Sequence, residues 1–166
     1  MTARSAEGIR RAVDDYAYSI DRRDDALYST LWTSNATFRI FEYGTAVLTR
    51  TMAQILGTPG RMARFVSTMH SVVAHRSSVN GSRAIAETDC RATHIRSLAD
   101  GSCLNYEVGL RYHDVLVEQQ DGRWLFASRD LHLLWGTTAP AVVRGIFDAL
   151  DAPPQNTWTD PTGRAR

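Results

Sequence analysis

The stretch "TMHSVVAHRSSVNGSRAIAETDCRATHIRS", Thr68 to Ser97, decides the fold. Its Asn80-Gly81 dipeptide separates two long alternating runs, the strongest short-range hairpin signal a sequence offers. The second arm, Arg83 to Arg96, sets Ala84, Ala86, Thr88, Cys90, Ala92 and His94 on one face. Arg83, Ile85, Glu87, Asp89, Arg91, Thr93 and Ile95 take the other. A period of two makes the even face the buried one. That face is built from small residues, which leaves room above the sheet, and it ends in His94. Asp100-Gly101 and Asp121-Gly122 mark two further turns, bounding strands at Ser102–Glu118 and Trp124–Trp135. Three consecutive antiparallel connections make a meander.

Upstream, Ile9, Ala12, Val13, Tyr16, Ala17 and Ile20 have helical spacing, with Ser5 as the expected N-cap and Gly8 oddly close behind it. This helix ends near "DRRDD", where Asp24 or Asp25 caps a shorter one through Ala26, Leu27, Leu31 and Trp32. "NATFRIFEYG" reads as a strand closed by Gly44, "TRTMAQILG" as a third helix capped by Thr49 or Thr51, and "TPGRMARFV" as a turn with a helical piece. Pro140 opens an expected last helix, "AVVRGIFDAL", and the tail from Asp151 reads as loop. The expectation is one α+β domain over residues 1–150 and a tail over residues 151–166. Its helices pack on one face of a curved antiparallel sheet that wraps around a cavity.

Composition removes several function classes. Nineteen Lys+Arg against 18 Asp+Glu give a net charge of +1, so no field recruits nucleic acid or an anionic membrane. No apolar run approaches the ~20 residues of a membrane span, and "MTARSAEGIRRAVDDYAYSI" has no apolar signal core. A cytoplasmic protein with a small-molecule substrate is expected; Cys90 and Cys103, on neighbouring strands, read as two buried thiols, with a cross-strand disulfide as the alternative. There is no GxGxxG, P-loop, HExxH, nucleophile elbow or clustered Cys/His set, so neither cofactor nor metal is expected.

The histidines hold the remaining chemistry. His75 lies five positions after His70, which in a regular strand turns it to the opposite, exposed face. His94 is either a pocket residue or a core histidine bonded to a carbonyl, and both readings stand. Asp21 alone reads as a helix-end or capping residue. Arg129 shares a face with Leu125, Ala127, Leu131 and Leu133, so it requires a carboxylate such as Asp21 or a ligand.

The succession "SIDRRDDALYSTLW", "TMHSVV", "NGSRAIAETDCRATH" and "RYHDVLVEQQDGRWLFASRDLHLLW" resembles the SnoaL-like members of the nuclear transport factor 2-like superfamily, most of all the scytalone dehydratases, over Ile9 to Trp135. That resemblance implies a cone of curved sheet and helices around a deep pocket. It matches Asp21 to a carboxylate that orients a histidine, His70 to that histidine, and His94 to a second catalytic histidine. His113 stands where the dehydratases carry an asparagine, Ile20 where they carry a tyrosine, and a second pocket tyrosine falls at Glu42 or Tyr43. Tyr43, His113 and Arg129 are the expected substrate-binding residues, because the oxygen that gains charge requires a donor. The implied activity is a cofactor-independent lyase or isomerase of dehydratase type. Its substrate would be a small, largely apolar hydroxy-ketone, polyketide, steroid or aromatic compound. A homodimer or higher homo-oligomer through the sheet face is implied as well. The alternatives are a structural subunit like the small β subunit of aromatic-ring dioxygenases and a passive ligand-binding module.

Overall fold

In the computed structural model, which describes residues 2–141, the apolar stripe from Ile9 to Ile20 is the buried face of helix α1, Ala3–Arg22. Thr2, rather than Ser5, caps it, its Oγ1 accepting the Ser5 amide at 3.1 Å. Gly8 is explained by its neighbour: a Cβ there would lie 2.8 Å from Trp124 Cδ1, so the helix approaches the sheet where no side chain fits. The helix ends at Arg23, in left-handed conformation (φ 56°), whose Nη2 donates to the Phe65 carbonyl at 2.7 Å. Asp24 then caps α2, Asp25–Ser29, by accepting the Leu27 amide at 2.8 Å. Trp32, expected in that helix, instead opens β1, Trp32–Glu42.

β2, Thr45–Arg50, was not expected. It folds back on β1 through Tyr43 and Gly44, both at positive φ (49° and 79°), as a two-residue hairpin turn of this hand requires. Next come α3, Met52–Leu56, with Thr51 in a capping box, α4, Thr58–Arg61, and a 3₁₀ turn, Met62–Arg64. Four long strands complete the chain: β3, Ser67–Asn80; β4, Arg83–Ser97; β5, Cys103–Glu118; and β6, Trp124–Ala141. They pair antiparallel in turn, within a sheet of order β2-β1-β6-β5-β4-β3. The expected all-antiparallel sheet is in fact mixed, because β1 lies parallel to β6. The chain leaves α2 beside the start of β6, where the Phe126 amide donates to the Leu31 carbonyl at 2.8 Å, and runs along the edge that β5 leaves free. Pro140 belongs to β6, opposite Leu104, instead of opening a helix; residues 142–150 of that expected helix and the tail from Asp151 lie outside the described residues.

Two bulges decide which side chains face α1. On β3, Val72 pairs with Cys90 and Ala74 with Asp89, so Val73 is the extra residue, pushed outward and 69% exposed. The parity of the strand changes there: His70 and Val72 point inward, then His75, Ser77 and Val79. This corrects the expectation of an exposed His75, whose Nδ1 instead meets the hydroxyl of buried Thr88 at 2.9 Å. On β6, a shift between Phe126 and Ser128 likewise turns Trp124 and Phe126 inward, then Arg129, Leu131 and Leu133.

The even face of β4 is buried, but the space above it is filled. Arg129, fully buried, is the largest such side chain among the described residues. It donates from Nε and Nη2 to both oxygens of Asp114, each at 2.7 Å, so its carboxylate is Asp114 and not Asp21. The guanidinium carbon lies 3.9 Å from the ring centre of Tyr16 and 4.2 Å from those of Tyr112 and Phe126. With Tyr28 and Trp32 these rings form an aromatic block that narrows the expected deep pocket. What remains between Arg129 and His70 is a cavity of about 10 Å³, room for about one water. Removing one partner of a buried pair strands the other charge, so Arg129→Met is expected to cost about 3–5 kcal/mol. Arg129→Met combined with Asp114→Leu should recover much of that loss; urea unfolding of both variants checks it.

Candidate functional site

The C-terminal turn of α1 lies against the first residues of β3, and there Asp21 meets His70. Asp21 Oδ1 accepts from His70 Nδ1 at 2.7 Å and from the Thr68 hydroxyl at 2.8 Å, while Oδ2 accepts the His70 amide at 2.7 Å. A carboxylate can only accept, so Nδ1 carries the proton, and in the neutral ring Nε2 is the nitrogen with the free lone pair. Burial alone would raise the pKa of Asp21, but the hydrogen bonds and charge of His70, with the Thr68 hydroxyl, hold it below the usual carboxylate value. Both side chains are largely withdrawn from water, with 7% of His70 and 18% of Asp21 exposed.

His94 completes the cluster. Its ring stands edge-on to His70 with 5.4 Å between centres and lies 4.9 Å from the ring of Phe65. Burial, then the nearby charge of His70, push its pKa down to about 4, against a hydrogen bond with the Tyr106 backbone that works the other way. His94 is therefore neutral at pH 7. His75, deeper on the same face, is also pushed down, by burial and then by the charge of Arg10.

Two recesses open on the cluster. One, about 600 Å³, runs between α1 and β3 past Asp21, Thr68 and His70. The other, about 530 Å³, opens between the 3₁₀ turn and the ends of β4 and β5, with His94 in its wall. The remaining expected substrate-binding residues lie elsewhere. Tyr43 is fully exposed in the turn at the tip of the β1–β2 hairpin. His113 sits half exposed on the outer sheet face, 3.2 Å from Glu87. There it belongs to one cross-strand row, Arg76, Glu87, His113, Asp130 and Arg39, in which basic and acidic residue types alternate. Arg129 lines the small void with His70 but is committed to Asp114.

Sequence reasoning passed over Thr68, although it precedes His70 by two and so shares its face under period two. It also passed over Arg64, Phe65, Arg96 and Tyr106 around His94. Arg96 was findable in the same way, two residues beyond His94 on the even face of β4. Phe65 and Arg64 were not, since their approach depends on the path of the 3₁₀ turn. Among the described residues no group of three or more His, Cys, Asp or Glu side chains could hold a metal ion, and no helix is long and apolar enough to cross a membrane.

The model of the SnoaL-like domain matches residues 1–130. No curated protein is a significant match. Among solved structures, Kfla4162 from Kribbella flavida superposes with a TM-score of 0.69 at 20% identity, covering 80% of this chain and 93% of that one. A Novosphingobium aromaticivorans protein provisionally assigned as a scytalone dehydratase gives 0.64 at 20% identity, covering 84% and 89%. A type 2 hexachlorocyclohexane dehydrochlorinase (LinA) gives 0.66 at 17% identity, covering 91% and 95%. At these identities the structural likeness establishes the fold alone.

An unfolded chain protonates His94 near 6.5, whereas the folded one does so only near 4, so between these values the unfolded state holds the extra proton. Stability is therefore expected to fall as the pH drops through that window. Asp21, with its lowered pKa, adds a loss of the same sign at still lower pH. His94→Gln should flatten the slope between about 6.5 and about 4, read from unfolding midpoints across that range.

Proposed function

The chain belongs to the SnoaL-like domain family, and we propose that within it this protein is a cofactor-independent acid–base catalyst, a lyase or isomerase of dehydratase type. The observation that carries this reading is the 2.7 Å contact from His70 Nδ1 to Asp21 in a nearly dry setting. A half-buried carboxylate held by three hydrogen bonds and aimed at an imidazole has a cost in desolvation that packing alone does not require. It is well suited to a base, because it fixes the tautomer and stabilises the imidazolium that forms when Nε2 takes a proton.

On this reading His70 Nε2 removes a proton from a carbon next to a carbonyl. Electron density moves onto the carbonyl oxygen, and loss of a hydroxyl on the next carbon leaves an enone. The imidazolium of His70 returns its proton to the departing hydroxyl, so water leaves and the base is regenerated. Neutral His94 forms the wall beside it and, with one ring nitrogen engaged by the Tyr106 backbone, offers the other to a substrate hydroxyl. Thr68 positions Asp21 and does not touch the reacting atoms.

The test is a panel of small β-hydroxy-ketones, with enone formation followed by absorbance. Asp21→Asn and His70→Ala are expected to lower turnover by about 10²–10⁴-fold with unfolding midpoints little changed. The hydrogen-bonded Nδ1 proton of His70, visible far downfield by NMR, should vanish in Asp21→Asn. Full activity in both variants would overturn the reading, as would turnover lost only together with the fold.

A further inference from the structure

The recess beside His94 has a composition that the dyad does not account for. Its lining is Met62, Arg64, Phe65, His94, Arg96 and Tyr106. Three of these are aromatic or apolar bodies, and His94 is uncharged at neutral pH. The other two are arginines, and no carboxylate lines the recess. Most arginines on the outer sheet face have acidic partners, as in Arg39–Asp130, Arg91–Glu107 and Arg111–Asp89. Arg64 and Arg96 have no ion pair among the described residues; Arg64 only lies over the Phe65 ring, 4.9 Å from its centre. Two like charges gathered in one recess repel each other, and a bound anion would relieve that repulsion.

The recess is also built rather than incidental. Arg96 stands two residues beyond His94 on the same strand face, and Tyr106 pairs directly with His94 across β4 and β5. Arg64 and Phe65 come from the segment that Arg23 pins to the end of α1, through the Phe65 carbonyl at 2.7 Å. The same helix end carries Asp21, so one set of contacts fixes both the dyad and the far lip of the recess. The volume of about 530 Å³ suits a small organic molecule.

We propose that this recess binds a small aromatic carboxylate, its carboxylate held by Arg64 and Arg96 and its ring between Phe65 and Tyr106. The planar guanidinium pairs two donors with two carboxylate oxygens, and the aromatic walls supply the apolar burial. Such a ligand lies against His94, whose ring is in edge contact with His70. Resting on the acid–base reading above, the proposal narrows the substrate class to an aromatic hydroxy-acid or keto-acid anchored by its acid group away from the reacting carbon.

Benzoate and its neutral counterpart benzamide separate charge recognition from ring burial. Each is titrated into the isotopically labelled full chain, following the Arg64 and Arg96 side-chain N–H and the His94 ring signals by NMR. Benzoate is expected to shift these signals and to bind at least about tenfold more tightly than benzamide. Arg64→Gln and Arg96→Gln should each weaken benzoate by about tenfold and leave benzamide unchanged. Equal binding of the two probes would overturn the proposal, as would benzoate binding indifferent to both substitutions or shifts confined to other parts of the chain. His70→Ala is expected to keep the benzoate response, because the anchor does not use the dyad. A failed dyad with an intact benzoate site therefore removes only the acid–base reading. An intact dyad with no charge preference removes only the carboxylate anchor.

Discussion

The fold turns on the buried ion pair of Arg129 with Asp114, because it fixes where α1 can lie. Arg129 projects from β6 and Asp114 from β5, and the guanidinium stacks on Tyr16, the middle of the helix. A guanidinium in an apolar interior is tolerated only with its charge matched and its faces covered. Burial works against the charge of Arg129, and Asp114 more than compensates, so its pKa is raised. The helix is thus held at one height above the sheet. Asp21 follows Tyr16 by five residues, about 7.5 Å along the axis and well round it. That displacement takes it off the core-facing stripe and onto β3, where His70 and Thr68 receive it.

The helix and strand order was legible because periodicity reports burial, and α1 and the long meander are strongly periodic. The bulges were not legible. An extra residue such as Val73 looks like any other in an alternating run, yet it reverses every side chain after it, which is why His75 was expected outside and lies inside. β2 escaped because "TAVLTR" is short and almost wholly exposed, so its pattern carries no burial signal. The parallel pairing of β1 with β6 joins segments separated by more than half of the chain, and no local pattern encodes such a contact.

The site shows the same division. Asp21 at a helix end and His70 at a strand start are unremarkable one by one, and only the family resemblance placed them together. Their partners Thr68 and Arg96 follow from period two once that pair is known. Tyr43 lies away from the cluster because it sits in the two-residue turn between Glu42 and Thr45, at the tip of a hairpin that no other described element covers. Arg129 was read rightly as needing a partner, but its distance in space from Asp21 and nearness to Asp114 depend on sheet register.

Two histidines 5.4 Å apart would compete if both took protons at the same pH. The structure separates them by environment. His70 donates to the Asp21 carboxylate, whereas His94 is half-buried against Phe65, where loss of water and the nearby charges of His70 and Arg64 penalise a positive charge on its ring. A cationic His70 makes a cationic His94 less favourable still, so on the proposed reading a proton taken up by His70 meets a neutral neighbour. The positive side chains around His94 reinforce that division and at the same time leave the recess short of negative charge. An anion bound there would supply it, and would lie next to the imidazole that the electrostatics keep from becoming an acid.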